Sequence, residues 1–121
     1  MAYVDGFVIP VPTANRQAFI DNARTTDALF KEFGATRVVE TWGDDLPDGK
    51  LTDFRKAVGA KQDETVAFAW IEWPDKPSRD EGMKRFHELA QTDERFDEEK
   101  YPVPFDGARM IFGGFSVVLD V

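Results

Sequence analysis

The chain has 121 residues, 42% of them hydrophobic, which predicts one folded domain over residues 1–121 and excludes a disordered protein. The absence of cysteine excludes disulfide frameworks and thiol nucleophiles and is typical of a reducing compartment. No signal peptide and no apolar segment of roughly 20 residues is visible, so we expect a cytoplasmic protein without a membrane helix. The formal net charge of −8, without a cluster of Lys and Arg, argues against binding to nucleic acid.

The N-terminal third predicts a strand, a helix and a second strand. Residues 3–11 are almost continuously apolar and are followed by a proline, which is typical of a strand that ends there. The apolar stripe of the following helix recurs at steps of four, seven and three, at Phe19, Ala23, Phe30 and Phe33. Gly34 ends this helix, and residues 36–42 form the second strand. This order predicts two parallel strands joined by a right-handed crossover.

The remainder of the chain predicts two more strands and a second long helix. Residues 53–58 predict one or two helical turns, and the apolar residues 66–73 predict the third strand. A helix begins at Ser78, and its buried face is predicted to comprise Met83, Phe86, Leu89 and Ala90. Residues 93–108 are irregular, and residues 109–119 form the fourth strand.

The order βαββαβ predicts an α+β protein with the ferredoxin-like split arrangement. The strands, however, are apolar on both faces, whereas a sheet with one face in water alternates apolar and polar residues. Two helices cover only one face of such a sheet. The other apolar face therefore needs a partner to cover it, most simply a second copy of the same sheet, and we expect a homodimer.

Three long segments carry a resemblance to a known family: Tyr-Val-Asp-Gly-Phe-Val-Ile-Pro-Val-Pro at 3–12, Gly-Ala-Thr-Arg-Val-Val-Glu-Thr-Trp-Gly-Asp-Asp-Leu-Pro-Asp-Gly-Lys at 34–50, and Pro-Phe-Asp-Gly-Ala-Arg-Met-Ile-Phe-Gly-Gly-Phe at 104–115. On these segments the chain resembles, essentially end to end, the YbaA-like family of uncharacterised bacterial proteins. The resemblance implies a ferredoxin-like protomer of the dimeric α/β-barrel superfamily, and a homodimer in which two sheets close face to face. It implies no activity, and we expect no cofactor.

The wider superfamily includes cofactor-free quinol monooxygenases, haem-degrading monooxygenases and small isomerase-like enzymes, although kinship of fold says little about chemistry. The haem-degrading members use a Trp on the third strand and a His on the second helix. By this resemblance, Trp70 or Trp73 would correspond to the Trp, and His87 to the His. The chain departs from that pattern on its first strand, which has Asp5 where those enzymes carry an Asn.

The densest polar group lies at the end of the second strand. Glu40 and Trp42 are two residues apart and so share a face of the strand, and Asp44 and Asp45 follow directly. Glu40 is a candidate general base if burial raises its pKa, and the other three are candidate ligand-binding residues. The alternative is structural, with Trp42 packed in the dimer and Glu40 paired with an Arg across strands. No metal is assigned, although a loosely held Mg²⁺ at Asp44 and Asp45 stays open.

His87 and Asp5 complete the candidates. His87 is the only histidine and flanks the predicted buried stripe, so it is a second candidate for acid–base catalysis, or else a half-buried His bonded to backbone. Asp5 lies in an apolar strand, where a carboxylate is costly unless it is paired, and Arg37 or Arg109 is the expected partner. Asp5 and Trp70 are counted with the candidate ligand-binding residues.

Together these residues predict a small-molecule pocket between the sheet and the helices. If the protein is an enzyme, cofactor-independent oxygen chemistry or acid–base chemistry of the isomerase type on a small aromatic or keto compound fits best. The competing class is a non-catalytic binding module. A pocket lined by Glu40, Trp42 and His87 together favours the enzyme, and their dispersal favours the module.

Overall fold

The computed structural model describes all 121 residues and has the predicted ferredoxin-like α+β order. Its elements are strands β1 (Tyr3–Pro12), β2 (Arg37–Glu40), β3 (Glu64–Trp73) and β4 (Ile111–Ser116), and helices α1 (Arg16–Glu32), α2 (Phe54–Ala57) and α3 (Lys76–Thr92). The sheet order is β2-β3-β1-β4, and each neighbouring pair is antiparallel. β1 and β2 therefore run parallel, as predicted, with β3 between them. None of the helices is long and apolar enough to cross a membrane.

The strand register sorts the side chains onto two faces. Ile9 stands opposite Ala67, and Asp5 stands opposite Ile71, and all four are buried on the face that carries α1 and α3. The alternate positions form the open face, which carries Val4, Val8, Phe68, Trp70, Ile111 and Phe115. The prediction of strands that are apolar on both faces is therefore confirmed.

Close packing holds α3 on the sheet. The helix begins two residues before the predicted Ser78, because the carboxylate of Asp75 accepts a hydrogen bond from the Ser78 backbone N–H at 2.8 Å. At Gly82 the helix meets the nearly fully buried ring of Trp73, where a Cβ atom would lie 2.5 Å from the ring. Glycine is therefore required for this approach of helix to sheet.

Two strands are shorter than predicted. β2 ends at Glu40 rather than at residue 42, although the Thr41 N–H still donates to the Phe68 carbonyl at 3.0 Å. β4 begins at Ile111 rather than at residue 109, because the guanidinium of Arg109 is held by Glu64 at 2.7 and 2.8 Å. An ion pair between loop and strand thus sets the start of β4.

The segment between α3 and β4, which we call the 93–110 loop, covers the helix layer. It opens with a 3₁₀ turn at Glu94–Phe96, and the Phe96 ring packs edge-on against Phe86 at 5.4 Å. Further on, Phe105 packs against Phe19 at 6.1 Å. Asn15, which directly precedes α1, donates its side-chain amide to the Pro104 carbonyl at 2.9 Å. The loop is therefore fastened to α1 and α3 at several points.

Candidate functional site

A cavity of about 230 Å³ lies between the sheet and the helix layer. Its wall is mostly apolar and includes five phenylalanine rings, those of Phe7, Phe19, Phe30, Phe86 and Phe105. These rings come from β1, α1, α3 and the 93–110 loop, so every layer of the fold contributes to the wall. An apolar cavity of ~150 Å³ in another protein holds a benzene molecule, so this one has room for a compound with a single ring.

Two carboxyl groups meet at this cavity. Glu40 is the last residue of β2 and stands opposite Ala69, a position on the helix-covered face of the sheet. Asp27 lies on α1, four residues after the buried Ala23, and so projects from the same side of the helix. The two carboxyl groups lie within hydrogen-bonding reach of each other, and each shifts the pKa of the other. A hydrogen bond between two carboxyl groups requires that one of them holds a proton.

The surroundings of the pair favour its protonated form. Burial raises the pKa of Glu40 from 4.5 to about 8, and the hydrogen bond and the charge of Asp27 act in the same direction. Burial also raises the pKa of Asp27, against the effect of its hydrogen bonds with Glu40 and Thr26. No Lys, Arg or His lines the cavity, and Oε2 of Glu40 is buried without a donor when both groups are ionised. Glu40 therefore holds its proton at neutral pH and can donate it in a hydrogen bond to Asp27.

Asn22 and Thr26 are the other polar residues of the wall. The Thr26 hydroxyl donates to the Ala23 carbonyl at 3.2 Å and lies 3.4 Å from Oδ1 of Asp27. Asn22 and Thr26 also border a depression of about 440 Å³ on the outer surface, beside Arg95 of the 93–110 loop. One turn of α1 thus forms the partition between the inner cavity and that outer depression.

The cavity wall does not include Trp42, Asp44 and Asp45, the three residues predicted to accompany Glu40 at the end of β2. Trp42 shares the helix-covered face with Glu40, as predicted, but its ring packs against Phe19 at 5.7 Å and lies beside the cavity. Asp44 and Asp45 are exposed on the loop after β2. The structural alternative, in which Glu40 pairs with an Arg across strands, is also wrong, because Glu40 faces the carboxyl group of Asp27.

His87 lies on the solvent side of α3. Phe86 takes the inward position and lines the cavity, and the next residue along a helix is turned by about 100°. The His87 ring is exposed and contacts only the edge region of Phe86, at 6.0 Å between ring centroids. His87 is therefore neither half-buried nor beside the cavity, and Glu40, Trp42 and His87 do not form one site.

Asp5 belongs to a buried structural network. Its carboxylate accepts hydrogen bonds from Trp73 Nε1 at 2.9 Å and from Arg79 Nη2 at 2.9 Å, and Arg79 lies 5.1 Å from the ring centre of Tyr3. The expected partners were wrong, because Arg37 pairs with Glu72 on the open face and Arg109 pairs with Glu64. The partner comes from α3 because this helix, and not a neighbouring strand, covers Asp5.

The side chain of Trp70 lies on the open face, although this residue also lines the cavity that holds Glu40 and Asp27. Its Nε1 donates to the Glu72 carboxylate at 2.8 Å, and its ring packs against Phe68 at 5.9 Å. These side chains belong to an open groove of about 760 Å³ that also includes Phe115. The two sides of the sheet therefore carry different features, a partly open cavity with two carboxyl groups on one side and a broader apolar groove on the other.

No three His, Asp or Glu side chains come together as metal ligands anywhere in the structure. At the cavity the acidic side chains number two, Asp27 and Glu40. The rest of its polar lining, Asn22 and Thr26, supplies an amide and a hydroxyl group. These four groups suit the recognition of an organic molecule by hydrogen bonds.

Asp27 is the site residue that the sequence patterns did not predict. An acidic residue on a helix is ordinarily exposed to water. The signal lay in the apolar stripe of α1, where the step of seven between Ala23 and Phe30 skips a turn of the helix. Thr26 and Asp27 occupy that turn on the inward side, so a polar gap in an otherwise apolar stripe marks the site.

Comparisons with known proteins agree with this fold. The model of the family described as "Protein of unknown function (DUF1428)" matches residues 2–107. The uncharacterised protein YbaA of Escherichia coli K12 and that of Shigella flexneri are each 48% identical to this chain over 120 residues, 99% of either chain. A crystal structure of a dimeric ferredoxin-like protein from an uncultured marine organism is similar over the whole of both chains, with a TM-score of 0.63 and 12% identity.

Proposed function

Since the chain belongs to the family of proteins of unknown function DUF1428, we propose its function from the cavity itself: it binds a small, mostly apolar organic molecule through the pair Glu40–Asp27. The observation that carries this proposal is that two carboxyl groups, Glu40 and Asp27, line one aromatic cavity whose wall contains no Lys, Arg or His. A buried, unpaired carboxyl group lowers the stability of a fold. A ligand that binds to the carboxyl group would account for its presence in the cavity.

The shape and lining of the cavity support an apolar body for the ligand. Small-molecule sites are concave, mostly apolar and furnished with a few polar groups that fix orientation. The cavity combines five phenylalanine rings with Asn22, Thr26 and the carboxyl pair. The rings supply apolar contact area, and the polar groups at one side of the cavity fix the orientation of the ligand.

A second candidate function, acid–base catalysis of the isomerase type, is favoured by one specific observation. The pKa of Glu40, about 8, lies close to neutral pH, where a group gives and takes protons most effectively. Asp27 would then take the role expected of His87, because it adjoins Glu40 whereas His87 faces solvent. The separation of Glu40, Trp42 and His87 favours the binding module, which is why we place binding first.

We also propose that the protein acts as a homodimer joined through the open face of the sheet. That face exposes 44% of Phe68 and 61% of Phe115, and exposed apolar patches of this kind mark interaction sites. The similar marine protein is described as dimeric. A second copy of the same face would cover these rings and leave the acidic cavity, on the other side of the sheet, free in each protomer.

Binding in the cavity is tested with 2-phenylethanol, a neutral single-ring probe with a hydroxyl group for the carboxyl pair. Ala23→Leu fills the cavity from α1, and Ala28→Leu, on the exposed side of the same helix, is the matched control. We expect calorimetry or ligand-observed NMR to show binding to the wild type and to A28L, and at least tenfold weaker binding to A23L. Equal binding to all three proteins would contradict the proposal, and so would a wild type that binds neither this alcohol nor a charged single-ring compound of the same size.

A further inference from the structure

We propose that the natural ligand of the cavity is a small organic cation, an ammonium group carried on an apolar body. This inference rests on the proposed function and names its class of ligand. It is drawn from the charges that face the cavity, from the rings that surround them and from the buried oxygen atom of Glu40.

The charges that face the cavity are all of one sign. α1 contributes Asp27 and β2 contributes Glu40, whereas β1, β3, α3 and the 93–110 loop contribute no titratable side chain to the wall. The pair therefore carries one negative charge when it holds one proton and two when it holds none. An anionic ligand would be repelled, and a neutral ligand would leave the charge uncompensated.

An ammonium group supplies what the pair lacks. It has donors only, and both carboxylates offer acceptors, including Oε2 of Glu40, which is buried without a donor. The faces of the surrounding phenylalanine rings attract a cation as well, and this attraction increases when the cation is desolvated. The cavity thus has the two elements of an ammonium site, a paired negative charge and an aromatic wall.

Such binding is linked to pH. An ammonium ion favours the form in which both carboxyl groups are ionised, so its binding expels the proton that Glu40 and Asp27 share. The affinity then rises by up to about tenfold per pH unit until the pair has lost its proton. A neutral ligand that accepts a hydrogen bond from the protonated pair shows the opposite dependence.

The test compares three probes of similar size: 2-phenylethylammonium, 2-phenylethanol and phenylacetate. Alkylammonium groups lose their proton only near pH ~10, so between about pH 6 and 8.5 the change in affinity reports on the protein. We expect the ammonium probe to bind at least tenfold more tightly than the alcohol at the upper pH. Heats measured in buffers of different ionisation enthalpy should show release of a proton on binding.

Two variants test whether the carboxyl pair causes the pH-dependent binding of the ammonium probe. Glu40→Gln should weaken binding of 2-phenylethylammonium about tenfold or more and remove its pH dependence, while Glu88→Gln, on the exposed side of α3, should change neither. Tighter binding of the alcohol or of phenylacetate than of the ammonium probe at every pH overturns the cationic ligand but leaves the binding cavity standing. Failure of all three probes to bind overturns both proposals.

Discussion

Glu40 makes the stability of the protein depend on pH in an unusual direction. Its pKa is about 8 in the folded chain against an ordinary value of 4.5, so between these values the folded protein holds more protons than the unfolded one. Stability should therefore be highest on the acidic side of this window and fall as the pH rises through it. Glu64, whose pKa Arg109 lowers from 4.5 to about 2, affects stability in the adjoining range below this window, where stability falls as the pH decreases.

Glu40→Gln should remove this dependence. The amide donates a hydrogen bond to Asp27 without a charge, so at about pH 8.5 we expect the variant to be more stable than the wild type by about 1–3 kcal/mol, the range for a buried polar group without a partner. Thermal unfolding between about pH 5 and 8.5 measures the effect, with Glu88→Gln as the control. A variant whose melting temperature falls with pH as steeply as that of the wild type would contradict the shared proton.

Arg79 should be needed for stability, because it pairs with a carboxylate that is only 3% exposed. Arg79→Met leaves the buried charge of Asp5 without a partner, and we expect it to lower the free energy of unfolding, measured in urea, by about 3–5 kcal/mol. Arg85→Met is the control, since that exposed side chain contacts only the ring of Phe33. A loss below about 1 kcal/mol for R79M would refute the structural role and return Asp5 to the candidate ligand-binding residues.

At the residue scale, sequence reasoning identified one half of the carboxyl pair. Glu40 was predicted because it follows an apolar strand and shares a face with Trp42. Asp27 and Arg79 were missed because their partners lie across the interface between helix and sheet. Strand alternation and helical periodicity report which way a side chain points, but not which residue it meets in the next layer.

At the scale of elements, α3 packs very closely against β3 at Gly82. A Cβ atom at Gly82 would lie 2.5 Å from the Trp73 ring and 2.9 Å from the Phe33 carbonyl oxygen. The ring is 1% exposed and belongs to the closely packed core of the protein. The helix would therefore have to shift outward to accept any side chain at this position.

Gly82→Ala should destabilise the protein despite the better helix propensity of alanine. Overpacking costs about 1–3 kcal/mol, and the gain in propensity is at most ~1 kcal/mol. Gly107→Ala is the control, because nothing lies within 4 Å of its Cβ position. Urea unfolding should show a loss for G82A and little change for G107A, and a G82A variant more stable than the wild type would contradict this packing.

The elements themselves were largely predictable, and their ends were not. Apolar periodicity indicated four strands and two long helices in the observed order. The ends of β2 and β4 depend on contacts that are distant in sequence, such as that of Arg109 with Glu64. Helix α3 begins earlier than predicted because Asp75 caps it, a position that the proline-rich segment before Ser78 obscured.

At the scale of the whole molecule, association through the open face is the main prediction. Phe115 lies over Gly6 and Gly113 on that face, so Phe115→Glu places a charge at the centre of the proposed interface. Light scattering coupled to gel filtration should give about twice 13.7 kDa for the wild type and near 13.7 kDa for F115E. Ala28→Glu, on the outer side of α1, should stay dimeric, and a monomeric wild type would refute the interface.

The three tryptophans lie in three separate surroundings. Trp42 packs beside the acidic cavity, Trp70 stands on the open face, and Trp73 is buried against Asp5. Because indole fluorescence responds to local polarity, each residue reports on a different event. A chain that retains Trp42 alone would follow occupation of the cavity, one with Trp70 alone would follow association, and one with Trp73 alone would follow loss of the core. The fold thus carries its own optical probes for ligand, partner and unfolding.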